Sequence, residues 1–228
     1  RGNEQSGHCS RRSFDRDRRL CICAIYVIEM RDRMMENFII TIGRQAGSGG
    51  REIGMRLAQR LGIPYYGRQE LMQIAKGTPD YEEVQSFYEE QPVDDLLYAI
   101  ATSNVEEDLG HIPFRRIRQL CSKTSCVLIG RCGGYIFRGQ ERAVSIFLHA
   151  DENIRAQRTM QDYGLSLKKA MERNQQTDSD RAAFHRYYTR EEWGASADYD
   201  LCLDSGILGV EGTVEVILAY LKIRGIVQ

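Results

Sequence analysis

The sequence predicts an α/β fold, a doubly wound parallel sheet flanked by helices. Short apolar, β-branched runs alternate with stretches of helical periodicity. The runs are nearly continuous in apolar residues, as strands covered on both faces require. The polar or glycine-rich clusters at 43–51, 130–134, 149–155 and 204–205 each follow such a run. That is the carboxyl end of a strand, where sheets of this class bind ligands.

The elements follow in order. Phe38-Ile39-Ile40-Thr41-Ile42 reads as the first buried strand, and Gly43 to Gly50 as a loop. Ile53, Leu57, Ala58 and Leu61 recur at helical spacing until Gly62 ends the helix. Ile63-Pro64-Tyr65-Tyr66 is a short extended piece, and helices are expected at 68–76, 80–90, 93–104 and 112–123. Cys126-Val127-Leu128-Ile129 is a second buried strand, leading into Gly130-Arg131, and Ala143 to Leu148 is a third. Asp151 is placed to cap a helix over 152–162, and the charge-rich stretch from Leu165 to Arg190 is helical. Tyr199-Asp200-Leu201-Cys202-Leu203 is a further strand. Val210, Val214, Ile217, Leu218 and Leu221 mark the last amphipathic helix.

The 228 residues, 42% hydrophobic and 28% charged, suit one globular domain with a sizeable core. A net charge of -1 argues against a general nucleic-acid or membrane binder. The seven cysteines show no paired C-x-x-C spacing, which points to reduced thiols and a cytoplasmic setting. Residues 1–35 stand apart, with an arginine cluster before a short apolar run at Leu20 to Ile28. That run is too short to span a bilayer and lacks a small-residue cleavage site. A poorly ordered extension translated from upstream of the true start is expected, with a targeting or partner-binding arm as the alternative; the domain is placed at 36–228.

Gly43-Arg44-Gln45-Ala46-Gly47-Ser48-Gly49-Gly50-Arg51-Glu52 carries the chemistry. Its glycines let the backbone curl until several N–H groups face one point. The helix that follows adds its positive end, which suits a pyrophosphate. The bland alternative is a plain glycine turn. A flanking buried strand and helix favour the functional reading. The loop departs from G-x-x-x-x-G-K-[ST]: Gly50 stands at the lysine position, Arg51 at the magnesium-binding hydroxyl and Arg44 at the first glycine. Gly47, Ser48, Gly49, Gly50 and Arg51 are the expected phosphate-binding residues. Arg51 is the candidate to supply the missing charge.

From about 36 to 225 the chain resembles the cytidylate kinase-like proteins, a branch of the P-loop nucleoside monophosphate kinases with a modified phosphate loop. The resemblance rests on Ile40-Thr41-Ile42 running into Ala46-Gly47-Ser48-Gly49-Gly50-Arg51-Glu52-Ile53-Gly54, on Tyr65 to Leu71, and on Gly130-Arg131-Cys132. Ala150 to Arg155 with Arg158, Arg181 to Trp193, and Leu203-Asp204-Ser205 extend it. Gly67 departs from an aspartate usual in the branch. The resemblance implies a P-loop nucleoside triphosphate hydrolase-like fold with a helical lid at about 165–193. It implies transfer of the ATP γ-phosphate to a nucleoside monophosphate, CMP or dCMP favoured, with Mg²⁺. A catalytically weak nucleotide-binding regulator and a kinase for another small acceptor remain as alternatives, the first motivated by the absent lysine.

Arginines then supply charge compensation between two phosphorylated substrates. Arg68, Arg131 and Arg155 are expected at the monophosphate, and Arg51, Arg181 and Arg186 in catalysis. For each the bland reading is surface charge. Asp204 either orients the lid or a metal-bound water, or caps the turn. No residues are expected as direct metal ligands, and the histidines are expected to be structural.

Overall fold

The computed structural model describes residues 37–91 and 111–228. The expected extension at 1–35 and helix at 93–104 lie outside the described residues. Within them, five strands form one all-parallel sheet: β1 (Ile39–Arg44), β2 (Tyr65–Tyr66), β3 (Cys126–Ile129), β4 (Ala143–His149) and β5 (Leu201–Asp204). Their order is β2-β3-β1-β4-β5. β1 is therefore central, and its carboxyl end opens between β3 and β4.

The helices are α1 (Gly50–Leu61), α2 (Arg68–Ala75), α3 (Tyr81–Glu89), α4 (His111–Cys121), α5 (Gly133–Ile136), α6 (Glu152–Tyr163), α7 (Leu167–Thr189) and α8 (Ser205–Ile223). Gly62 and Gly164 end α1 and α6 in the left-handed conformation, the usual glycine stop. A capped turn precedes the apolar period of the last helix. Asp204 caps it, accepting from the Gly206 and Ile207 amides at 2.8 and 3.2 Å, and Gly209 at φ 66, ψ 179 interrupts it before the periodic part.

Strand alternation sends side chains to two cores. Ile40, Ile42, Val127 and Ile129 are buried on the side of α1 and α8, whose Ile53, Leu57, Val214, Ile217 and Leu221 are buried with them. Ile39, Cys126 and Leu128 face a second cluster holding Leu71, Phe87, Phe114, Ile117, Ile136 and Phe184. Phe87 is its hub, with ring centroids 5.3 Å from Phe184, 4.9 Å from Tyr188 and 5.7 Å from Phe114. The C-terminal half of α7, the expected lid helix, is thus fixed in the aromatic core. Its N-terminal half packs on α6, where the buried Thr159 hydroxyl donates to Asn174 Oδ1 at 2.7 Å.

Candidate active site

The loop between β1 and α1 turns through two left-handed glycines, Gly47 at φ 72 and Gly49 at φ 77. Gly49 caps α1 without a side-chain hydrogen bond, which leaves the helix end without a protein cap side chain. Ser48 is fully buried, and its hydroxyl donates to the Gln45 carbonyl at 2.8 Å, so it closes the loop on itself. From outside, the buried Ser205 hydroxyl lies 2.6 Å from the Ser48 carbonyl oxygen and 3.0 Å from that of His149. Arg158 donates to the Ser205 carbonyl at 2.9 Å. The loop shape is therefore held from β4, α6 and α8 together. A Cβ at Gly47 would run into the Arg155 backbone carbonyl, in a conformation L side chains rarely adopt. Gly47→Ala is expected to lower stability by about 1–3 kcal/mol and to weaken ATP binding. Urea denaturation and calorimetry check the two effects.

Over this loop lies α7. Asp178 accepts from the Ala46 amide at 2.6 Å and from Arg155 Nη1 at 2.7 Å. Arg155 also donates to the Ala46 carbonyl at 3.1 Å. Arg181 donates to the Arg44 carbonyl at 3.1 Å and stands 3.8 Å from Asp178. Burial lowers the Arg181 pKa to about 10, assisted by the Arg44 charge, which still leaves it cationic at neutral pH. Burial raises the Asp178 carboxyl, against the opposing pull of the Ala46 amide and Arg155.

Next to the loop is a buried charge cluster. Glu90 receives both Arg44 guanidinium nitrogens at 3.0 Å, and the Arg131 amide and Nη1 at 3.2 Å. Burial pushes its carboxyl up, but the Arg131 and Arg44 charges outweigh that and hold it far below the usual carboxylate range. Arg131 is 2% exposed. Its guanidinium is directed inward, donating to the carbonyls of Tyr88 and of Ile129. Glu90, Arg131 and Cys132 take φ of 50, 55 and 54, sparsely populated for non-glycine residues. The buried hydrogen bonds hold that conformation in place.

Arg44, Glu90, Arg131 and Arg181 line a cleft at the carboxyl ends of β1 and β3, together with His185 and Tyr199. Arg138 closes its rim by donating to Glu191 at 2.6 and 2.8 Å and to Asp198 at 3.2 Å. Trp193 and Tyr199 pack on Phe147 with centroids 5.3 and 5.1 Å away. Burial lowers the His185 pKa.

The expected site residues thus divide. Gly47, Ser48, Gly49 and Gly50 form the loop, with Arg155 and Arg181 above it and Arg131 at the adjoining cleft. Arg51 lies exposed in the first turn of α1, donating to Gln69 Oε1 at 3.1 Å. Arg68 is exposed and 4.0 Å from Glu89. Arg186 is exposed on α7 and is not among the residues lining the cleft. Asp204 is a helix cap. Sequence reasoning passed over Glu90 and Asp178, the two carboxylates that organise the arginines. Both sit in strongly polar stretches that resemble solvated helix faces.

The sheet order, the loop and the helix behind it define an α/β protein of the P-loop kinase kind. The chain belongs to the cytidylate kinase-like family, whose model matches residues 39–207. It is 24% identical over 192 residues to a cytidylate kinase of Archaeoglobus fulgidus, covering 82% of this chain and 96% of that protein. An uncharacterized protein from Eubacterium ventriosum has a crystal structure similar to it at a TM-score of 0.66 and 27% identity, covering 82% of this chain and 99% of that one. Family membership supports a small-molecule kinase-type protein. No helix among the described residues is long and apolar enough to cross a membrane.

Proposed function

We propose that the chain transfers the γ-phosphoryl group of ATP to a nucleoside monophosphate, with CMP or dCMP favoured, in the cytoplasm. The observation that carries this reading is the junction of an anion-binding loop, overlaid by Arg155 and Arg181, with an adjoining cleft. The glycine loop and helix N-terminus adjoin a cleft lined by Arg44, Arg131 and Arg181, and Arg181 bonds to the Arg44 carbonyl between them. An acceptor phosphate oxygen attacks the γ-phosphorus, the bond to the β-bridging oxygen breaks, and ADP leaves. The enzyme contributes alignment and charge compensation rather than covalent chemistry. Arg155 and Arg181 fit the ATP side of that step, Arg131 the wall of the acceptor cleft. The described cysteines are free thiols, which suits a reducing compartment.

Mg²⁺ enters this proposal with ATP. Among the described residues no group of His, Cys, Asp and Glu is arranged to hold a metal, and the Ser48 hydroxyl is engaged by Gln45. A Mg²⁺ ion brought with ATP would supply neutralisation of the phosphate charge.

Gly50 at the lysine position and the outward Arg51 favour a second reading, a nucleotide-binding regulator with weak transfer. The full chain incubated with Mg-ATP and a panel of CMP, dCMP, UMP, AMP and GMP, with ADP release followed, decides between them. Acceptor-dependent ADP, highest with CMP or dCMP, is the expected result. ATP binding without acceptor-dependent ADP overturns the kinase reading, and a preferred acceptor outside the panel redirects it to another small molecule. Arg51→Ala in the same assay is expected to leave turnover nearly unchanged, as its exposed position beside Gln69 implies; slowed turnover would give Arg51 the lysine's role.

A further inference from the structure

Asp178 lies in a charged helix that no motif singles out, yet its carboxylate reaches the centre of the phosphate loop. One oxygen accepts from the Ala46 amide at 2.6 Å, the other from Arg155 Nη1 at 2.7 Å, and Arg181 stands 3.8 Å away. A loop amide and two guanidinium groups around one anion form the donor set that suits a phosphoryl group. We propose that the Asp178 carboxylate occupies a phosphoryl subsite of the loop and acts as an autoinhibitory latch, which a polyphosphate must displace. The inference rests on reading this loop as the ATP site, and adds that the chain carries its own competing anion there.

Like charges at hydrogen-bond distance from one amide repel strongly in a poorly solvated site, so carboxylate and phosphate exclude each other. Burial already raises the Asp178 carboxyl, so its ionised form is held there at a cost. Release does not require α7 to leave the core. Phe184 and Tyr188 keep the C-terminal half in place, and only the half bearing Asp178 has to yield. If the latched form outnumbers the open one about tenfold, apparent polyphosphate affinity falls by about the same factor.

Calorimetric titration of the full chain with ATP and with inorganic tripolyphosphate tests this. Asp178→Asn keeps the volume and removes the charge; Asp178→Glu keeps the charge. The expected result is about tenfold tighter binding of both ligands by Asp178→Asn, with Asp178→Glu close to the wild type. Should thermal melting show Asp178→Asn poorly folded, Asp178→Ser serves in its place. Wild-type ATP binding with equal or weaker binding by the uncharged variant overturns the latch and leaves the ATP site standing. Tightening for ATP but not for tripolyphosphate overturns the phosphoryl assignment. Failure of every protein to bind either ligand overturns both readings.

Discussion

Glu90→Ala is expected to cost about 3–5 kcal/mol of folding stability, because it leaves two arginines buried without their counter-charge. Arg44 and Glu90 have side chains 13% exposed and Arg131 only 1%. Water therefore cannot replace the lost carboxylate around Arg131. Arg131 keeps its carbonyl partners, but those do not neutralise it, and its pKa is already lowered by burial. Denaturant unfolding checks the size of the loss. Glu90→Gln retains an acceptor and the shape, so its loss is expected to be smaller.

The acid dependence has a definite sign. Glu90 has its folded-state pKa depressed below the ordinary value of 4.5, chiefly by Arg131 and Arg44 acting against burial. Its contribution is fully present above that value and disappears as the pH falls below it towards the folded pKa. The melting temperature of the wild type should consequently fall more steeply below about pH 4.5 than that of Glu90→Gln. Parallel curves would show that Glu90 does not carry the acid sensitivity.

Arg181→Ala is expected to lower kcat for phosphoryl transfer by about 10²–10³, the range seen when one preorganised donor to a developing charge is removed. Arg181 is the guanidinium at the boundary of loop and cleft, held by the Arg44 carbonyl and near Asp178. In the proposed reaction, charge moving from ATP towards an acceptor passes that boundary. Its side chain is 20% exposed, so deletion should disturb folding far less than loss of Glu90 does. Kinetics and melting measured on the same preparation separate the effects. A fall in kcat with KM nearly unchanged marks an interaction made in the transition state. A rise in KM alone would mean that Arg181 only binds. Arg181→Lys should recover part of the rate, since the charge returns but the planar fork does not.

The sheet and the loop were legible because their signals are local. β1, β3 and β4 are apolar runs of the expected length, and Gly47 and Gly49 declare a tight backbone between strand and helix. The periodic part of α8 begins after Gly209, where Val210 marks it, and Asp204 takes the capping role left open for it; the short turn between them has no apolar period and was not legible. The charge network was not legible for a different reason. Arg131 was expected at the carboxyl end of β3 and lies there. The direction of its guanidinium depends on the Tyr88 carbonyl, 43 residues away along the chain. Glu90 looks like surface in sequence, and is buried only because α3 brings it against Arg44 and Arg131. Long-range partners of charged residues leave no periodic trace.

Helix α7 has one further consequence. It is a continuous rod, clamped among aromatic rings at Phe184 and Tyr188 and touching the phosphate loop at Asp178. Six residues of helix span about 9 Å, so a tilt of about 5° at the clamp swings Asp178 by nearly 1 Å. That is enough to spoil a 2.6 Å hydrogen bond. Packing changes among Phe87, Phe114 and Phe184 are thereby amplified into changes in how firmly Asp178 holds the loop. Natural or engineered variation in that greasy cluster is a means of adjusting turnover without touching any residue that meets a substrate.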